Sequence, residues 1–331
     1  MLVLGVETSC DETSAGVVKD GCEILSNVIL SQEIHEKYGG VVPELASRIH
    51  ITELVDIIEM ALDRAGVKLK DLDGMAVTHG PGLVGCLLVG LSFIKSVYQT
   101  SGIPYYGVNH LEGHIFSNLL EHPELETPHI TLVASGGHSN LYFVEDWGKY
   151  RLLGATRDDA PGEAFDKISN LLGLGYPGGP AIEKRSNDGD RGFINFPRAM
   201  KEKDNYEFSF SGLKTAVAIY LKDKTPEFIA DHLADIAASF QEAVCEILVI
   251  KTLNTAAAFN VSQVSVTGGV ARNRRLRTLF EERKPENLNI FIPSQELCSD
   301  NGAMVAACGS FHLQKGEKSD LSLNAVPYLE L

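Results

Sequence analysis

The sequence predicts a two-lobed α/β protein in which one plan of elements is laid down twice. Three observations predict it. Apolar strands alternate with amphipathic helices from the first residues onward. An order of strand, small polar turn, strand, strand and helix opens the chain and restarts near Ile130. The 331 residues are enough for two lobes with separate cores. Hydrophobic content of 44% with 22% charged residues is ordinary for a globular protein. No apolar run approaches the roughly twenty residues of a membrane span, so no membrane association is expected. The first residues carry no basic region and no cleavage site, which speaks against a signal peptide and for a cytoplasmic location.

Taken in order, strands are expected at Leu2–Glu7, Ser14–Val18 and Ile24–Leu30, the first two joined by the polar turn Thr8–Thr13. A helix follows over Pro43–Ala65. Ile51, Leu54, Val55, Ile58, Ala61 and Leu62 keep helical spacing there, and Gly66 ends it. Gly74–Thr78 reads as a short buried strand, followed by a helix to about Thr100. Tyr106–Val108 is a strand and His110–Leu120 a helix. The plan restarts with strands at Ile130–Ala134, Asn140–Val144 and Tyr150–Thr156 and a helix at Gly162–Leu172. Residues 173–214 read as loop-rich. A long amphipathic helix is expected over Pro226–Asn254, a strand at Gln263–Thr267, and a last helix after Asp300. The lobes are expected at 1–128, completed by about 301–331, and at 129–300, with a polar hairpin from each facing a shared cleft.

Six cysteines are present and none forms a Cys-x-x-Cys pair, so a zinc ribbon is not expected and reduced thiols are. Cys10 and Cys298 lie beside polar motifs and are candidates to line the cleft. The net charge of −15 argues against a freestanding nucleic-acid binder, because phosphate contacts need Lys and Arg. A local basic edge or a partner can override that average. Arg272, Arg274, Arg275 and Arg277, or Lys184, Arg185 and Arg191, are the candidates; a solvated helix face explains each as well.

The segment Asn109–His114 carries two histidines four apart, which stack on one helical face within reach of one cation. Cys298-Ser299-Asp300-Asn301-Gly302 supplies a distant carboxylate. His110, His114 and Asp300 thus suggest a three-ligand metal site with open positions, which suits chemistry more than scaffolding. Histidines at this spacing also cap helix ends or sit on a wet face.

Ser135-Gly136-Gly137-His138 follows an apolar strand, and Thr267-Gly268-Gly269 has the same setting, with Asn273 at a helix start. Adjacent glycines let backbone N–H groups approach an anion. His79-Gly80-Pro81-Gly82 is a third such turn. None matches a Walker loop or the dinucleotide fingerprint. Glu163, Asp166 and Lys167 share one helical face, and carboxylates there, like Glu183 after the Pro-Gly-Gly-Pro turn, suit ribose hydroxyls. Glu7, Asp11 and Glu12 crowd the first turn and need solvent, a cation or a positively charged substrate group. Asp11 is a candidate for proton handling or, equally, an Asx-turn stabiliser.

These segments together resemble the universal threonylcarbamoyl-adenosine tRNA transferase family, in its bacterial TsaD branch. The resemblance runs from Gly5–Thr13 (Gly-Val-Glu-Thr-Ser-Cys-Asp-Glu-Thr) to Ser299–Ala303, almost the whole chain. It includes Val42–Arg48, Gly80–Leu83, Asn109–His114, Gly162–Lys167 and Phe210–Thr215. It implies an actin-like and sugar-kinase-like ATPase fold (ASKHA), built from a duplicated βββαβα unit with the active site between the lobes. It implies Fe2+ or Zn2+ held by His110, His114 and Asp300. It implies that Ala134, Ser135, Gly136, Gly137, His138, Asp166, Gly179, Glu183 and Asn273 bind the adenylate, threonylcarbamoyl-AMP, with ATP or ADP as possible occupants. Asp11 and Glu12 are the catalytic candidates. Archaeal and eukaryotic relatives add a tyrosine ligand where Val133 stands here, and His138 replaces an Asn common in them. The fourth protein ligand is therefore left open.

The implied reaction is acyl transfer to the N6 amine of the adenosine 3′ of the anticodon, in tRNAs reading codons that begin with A. The implied partners are tRNA, the inactive paralogue TsaB as heterodimer partner, and the small ATPase TsaE. Three rivals are distinguishable. A zincin protease needs Glu right after the first His, where Leu111 stands. A small-molecule kinase needs ATP and magnesium but no paired histidines. A nucleotide-binding structural subunit would assemble without turnover.

Overall fold

The computed structural model describes residues 1–202 and 204–331. The chain order is β1 (Leu2–Glu7), β2 (Glu12–Lys19), β3 (Glu23–Ser31), α1 (Pro43–Ala65), β4 (Gly74–Gly80), α2 (Val84–Ser101), β5 (Tyr105–Asn109) and α3 (His110–Ser117). Then come β6 (His129–Ala134), β7 (Ser139–Asp146), β8 (Lys149–Ala155), α4 (Pro161–Leu171), α5 (Gly178–Ser186), α6 (Ser211–Lys222), α7 (Pro226–Asp231) and α8 (Leu233–Ala258). The chain closes with β9 (Gln263–Thr267), α9 (Arg274–Arg283), β10 (Asn289–Phe291), α10 (Gln295–Cys298) and α11 (Gly302–Gln314).

Two compact units result: Met1–Glu124 with Pro293–Leu331, and Leu125–Ile292. Asp300, placed by the sequence at the end of the second lobe, therefore lies in the first unit. The first unit's sheet has the order β3-β2-β1-β4-β5, and the second's β10-β9-β6-β7-β8. Read from the third strand of each unit, both orders are third, second, first, fourth, fifth. Both begin with an antiparallel meander and add parallel strands, β4 beside β1 and β9 beside β6. The repeat of elements is thus a repeat of topology.

In the first unit one sheet face packs on α1 and α2, through Leu4, Val6, Val17, Met75 and Val77 against Leu54, Ile58, Leu91 and Ile94. Pro43 at the first turn and Gly66 at φ 68° bound α1 where the sequence placed its ends. Its apolar stripe is wider than its buried face: Leu54, Ile58 and Ala61 are buried, but Ile51 is 65% and Val55 47% exposed. The other sheet face receives α11 at very short range. A Cβ on Gly5 would stand 2.2 Å from the Gly302 carbonyl oxygen, so only glycine fits there. The head of α11 is further tied down by Gly302 N donating to Ser14 Oγ (2.8 Å) and Ala303 N to Asn27 Oδ1 (3.2 Å). This seating fixes Asp300, two residues upstream.

The second unit departs from expectation in three places. Residues 173–214 contain α5 and the start of α6. Asp158 caps α6, accepting from Phe210 N at 2.8 Å and Ser211 Oγ at 2.6 Å, a contact across some fifty residues that local patterning does not reveal. The long helix expected over 226–254 is two, α7 and α8. The backbone breaks at His232, whose ring stacks on Phe193 at 4.8 Å while Nδ1 meets Asp235 Oδ2 at 3.1 Å. The three-residue β10 was too short to signal itself. Among the described residues, no helix is long and apolar enough to cross a membrane.

Candidate functional site

Strand β5 runs straight into α3, whose N-cap is Asn109. Its Oδ1 accepts from Leu111 N (2.9 Å) and Glu112 N (3.4 Å), which sets the helix's first turn. His110 and His114 therefore project from one face, rings 4.7 Å apart and nearly perpendicular. The chain between α10 and α11 brings Asp300 to them. Its Oδ1 lies 3.5 Å from His110 Nε2 and 3.2 Å from His114 Nε2. One ligand atom from each of the three residues falls within 4.8 Å of the others, so they form a potential metal-holding group.

Two observations test whether these residues suit a divalent cation. His114 is fully buried, yet neither ring nitrogen has a hydrogen-bond partner. Its approach to Asp300 is close but lacks hydrogen-bond geometry, and a buried orphan of this kind calls for a partner. The donor set of two imidazoles and a carboxylate is also that of iron and zinc sites. The residues fit the ion.

The surroundings are strongly negative. Burial opposes a proton on His110, but Asp300 and Glu7 outweigh it and push the ring up to about 9. Burial likewise favours a neutral Glu7, yet the His110 ring holds it below the usual carboxylate range. Glu12, half-buried at the start of β2, is pushed well above that range by burial and by Asp11 and Asp300. The crowding of carboxylates expected from the sequence is therefore present. Burial and the same acids keep the Cys10 thiol protonated, which disfavours a cysteine nucleophile. Cys298 does not line a cleft as expected: it is buried, with Sγ donating to the Pro293 carbonyl at 3.4 Å. Sequence reasoning missed His50, which pins the first turn through Thr13 Oγ1 (2.7 Å) and the Cys10 carbonyl (2.9 Å). Its only signal was a histidine on the buried stripe of α1.

In the second unit the two glycine turns end neighbouring strands, since Val133 of β6 pairs with Thr267 of β9. Gly268 sits at φ 91°, and a Cβ there would meet the Ala134 carbonyl at 2.4 Å, so the turns touch only because it is glycine. Ser135 and His138 close their turn with Ser135 N donating to the His138 carbonyl (2.8 Å) and His138 N to Ser135 Oγ (3.1 Å). Gly136, Gly137, Gly179 and Gly269 have open space where a side chain would be. The start of α4 abuts the Ser135 turn, with Gly162 N donating to the Ser135 carbonyl at 3.2 Å. Asp166 accepts from Gly178 N (2.7 Å), which anchors α5, and Glu183 accepts from Arg274 N (2.8 Å) at the start of α9. The structure thus gathers Ala134–His138, Asp166, Gly179, Glu183 and Asn273 at one end of this sheet. Asn273 itself is buried: Oδ1 caps α9 and Nδ2 donates to Gln241 at 2.8 Å.

Two expectations need correction. The turn His79–Gly82 is no anion cradle, because the tail covers it: Gly82 N donates to the Pro327 carbonyl (3.1 Å) and Val326 N to the His79 carbonyl (2.8 Å). Arg275 forms no basic edge, because it is buried in ion pairs with Glu242 (2.6 Å) and Glu282 (2.9 Å).

A family model described as TsaD, tRNA N6-adenosine threonylcarbamoyltransferase, matches residues 23–307. A protein of that description from Caldicellulosiruptor bescii is 51% identical over 333 aligned positions, covering 100% of this chain and 98% of the relative. Another from Syntrophus aciditrophicus is 53% identical, covering 98% and 96%. Among solved structures, the HypF of T. kodakarensis shares the fold at a TM-score of 0.64 with 15% identity, over 95% of this chain and 48% of that one. Component A of the Acidaminococcus fermentans (R)-2-hydroxyglutaryl-CoA dehydratase does so at 0.57 with 15% identity, over 95% and 99%. The fold is accordingly the actin-like, sugar-kinase-like one (ASKHA). With half-identical relatives aligned nearly end to end and one family model spanning most of the sequence, this chain belongs to the tRNA N6-adenosine threonylcarbamoyltransferase family.

Proposed function

We propose that the protein transfers the threonylcarbamoyl group of threonylcarbamoyl-AMP to the N6 amine of the adenosine 3′ of the anticodon, in tRNAs reading codons that begin with A. The observation that carries this is the convergence of His110, His114 and Asp300, with both His114 nitrogens left unpaired, in a chain of this family.

His110, His114 and Asp300 would hold one Fe2+ or Zn2+, which when bound would supply Lewis acidity and an anchor for the threonyl portion of the substrate. The turn Ala134–His138 and Gly179 offer backbone N–H groups to the AMP phosphate, and Asp166 and Glu183 take its ribose hydroxyls. The N6 amine attacks the carbamoyl carbon, the bond from that carbon to the phosphate oxygen breaks, and AMP leaves as the anion. The amine gives up one proton in the process. Asp11 or Glu12 accepts it, and the raised Glu12 carboxyl suits that task once deprotonated. Orientation of a weak amine against an already activated carbonyl supplies much of the acceleration.

The tRNA contacts draw on Lys184, Arg185, Arg191 or the exposed Arg274 rather than on Arg275. The partners are tRNA, TsaB as heterodimer partner and TsaE, and the location is the cytoplasm, where the substrate tRNA is. A protease is disfavoured because Glu112, the acid nearest in sequence to the two histidines, bonds His312 Nε2 at 3.0 Å instead of serving the His110–His114 face.

Purified protein incubated with threonine, bicarbonate, ATP, an adenylate-forming enzyme, the partners and unmodified tRNA should yield the modified nucleoside by mass spectrometry. His110→Ala, His114→Ala and Asp300→Ala should yield little. Undiminished product from all three variants would refute the metal role, and no product from the wild type would refute the activity.

A further inference from the structure

Resting on the reading of His110, His114 and Asp300 as a cation site, we propose that Glu7 is its positioning residue. It keeps a proton on His110 Nδ1, so that Nε2, beside Asp300, is the nitrogen left to bind the cation.

Glu7 ends β1 and is 0% exposed. A buried carboxylate is strongly disfavoured unless its oxygens are satisfied. Here they are satisfied before His110 is considered. Oε1 accepts from Ser9 N at 2.6 Å, and Oε2 accepts from the Thr78 hydroxyl at 2.6 Å. Thr78 stands on β4, the parallel neighbour of β1, so the sheet itself sets the carboxylate. Oε2 then lies 3.1 Å from His110 Nδ1. An ionised carboxylate can only accept, so the nitrogen facing it keeps a proton, and a cation that displaces the proton of the far nitrogen finds the lone pair there. That far nitrogen is the one 3.5 Å from Asp300 Oδ1.

The two histidines are thereby unequal. His114 has no hydrogen-bond partner at either nitrogen, and its Nε2 approaches only Asp300, at 3.2 Å. Its ring is set by packing against His110 at 4.7 Å, whereas His110 is also held by a carboxylate on another strand. Carboxylates that hold a metal-binding imidazole in this way raise metal affinity about tenfold to a hundredfold.

The test is titration of metal-stripped, full-length protein with Co2+, read by visible absorption and by equilibrium dialysis. Wild type, Glu7→Gln, Glu7→Leu and His110→Ala are compared, with far-UV circular dichroism and urea unfolding of each metal-free form. Glu7→Gln can still accept a bond from Nδ1 but lacks the charge, and should bind Co2+ about tenfold more weakly with a shifted ligand-field band. Glu7→Leu removes the acceptor and should lose about a hundredfold. If Glu7→Leu does not fold, Glu7→Gln decides alone. Unchanged Co2+ affinity and spectrum in a folded Glu7→Gln, where His110→Ala abolishes binding, would overturn the positioning role and leave the cation site standing. A lowered unfolding midpoint with unchanged affinity would overturn it equally, because a purely structural role would do that. A wild type that binds no Co2+ would overturn the cation site and this role together.

Discussion

Helix α3 bears two clusters of ionisable side chains on opposite faces. On one, His110 and His114 meet Asp300; on the other, two residues and about 200° round the helix, Glu112 meets Cys308 and His312 of α11. Both have residue types and spacings that suit a metal. In the second, each imidazole nitrogen already faces a carboxylate: His312 Nε2 lies 3.0 Å from Glu112, and Nδ1 2.6 Å from Glu317. Tyr106 stacks on the same ring at 4.2 Å, and burial beside Glu112 keeps the Cys308 thiol protonated. In the first, His114 is buried with neither nitrogen hydrogen-bonded, and burial with Asp11 and Asp300 pushes the Glu12 carboxyl well above its usual range. Proximity of ligand types therefore does not separate a lock from a binding site. Unmet demand does: the Glu112 cluster is closed and fastens α3 to α11, while the Asp300 cluster is open to a cation.

The largest effect that could break this comparison is on turnover. His114→Ala and Asp300→Ala should lower threonylcarbamoyl transfer by on the order of a thousandfold, measured as modified nucleoside per unit time. A folded His312→Gln with the same loss would erase the distinction. Next is stability. Glu112→Gln leaves the buried His312 facing a neutral group and should cost about 3 kcal/mol in urea unfolding, with Co2+ affinity unmoved. Third, Zn2+ at a hundred times its dissociation constant should stabilise the wild type by about 2.7 kcal/mol and His114→Ala not at all, read from the same unfolding curves.

A smaller effect concerns pH. Burial disfavours the charged His312 ring, but Glu112 and Glu317 more than compensate, so its folded pKa lies above the unfolded value. The native state then binds more protons than the unfolded one as pH rises from about 6.5. The cluster's contribution should be complete below that pH and be lost as pH rises through the folded pKa. Unfolding free energies measured across that window should fall with pH in the wild type, and His312→Gln should flatten the slope. The smallest change is expected from the double variant Glu112→Leu/His312→Leu. Replacing both charges of a buried pair is often neutral, so its unfolding midpoint should stay near the wild type's. A large loss there would mean that the pair does more than fasten two helices.

Much of the fold was legible because its signals are local. The helix over Pro43–Ala65 is bounded by a proline at its first turn and a left-handed glycine after its last, and both act within a few residues. The restart at Ile130 was visible as an order of strands and turns. The break at His232 was not; there the ring stacks on Phe193, some forty residues back, a contact that local patterning does not reveal. Nor was α6, whose cap is Asp158. The site divided in the same way. His110 and His114 declared themselves by spacing, but nothing local announced that Glu112 pairs with His312. Arg275, in sequence a candidate for a basic edge or a solvated face, proved to be neither, because Glu242 and Glu282 enclose it.

By itself, then, the sequence determined what repeats over short distances: strand and helix periods, caps, glycine turns and the stacking of two histidines one helical turn apart. Only the tertiary structure decided which charges are met and which are not. Glu7 reaches His110 across 103 positions and Glu112 reaches His312 across 200. Whether a buried group is satisfied depends on atoms that chain closure delivers from such distances, and no local pattern encodes their arrival.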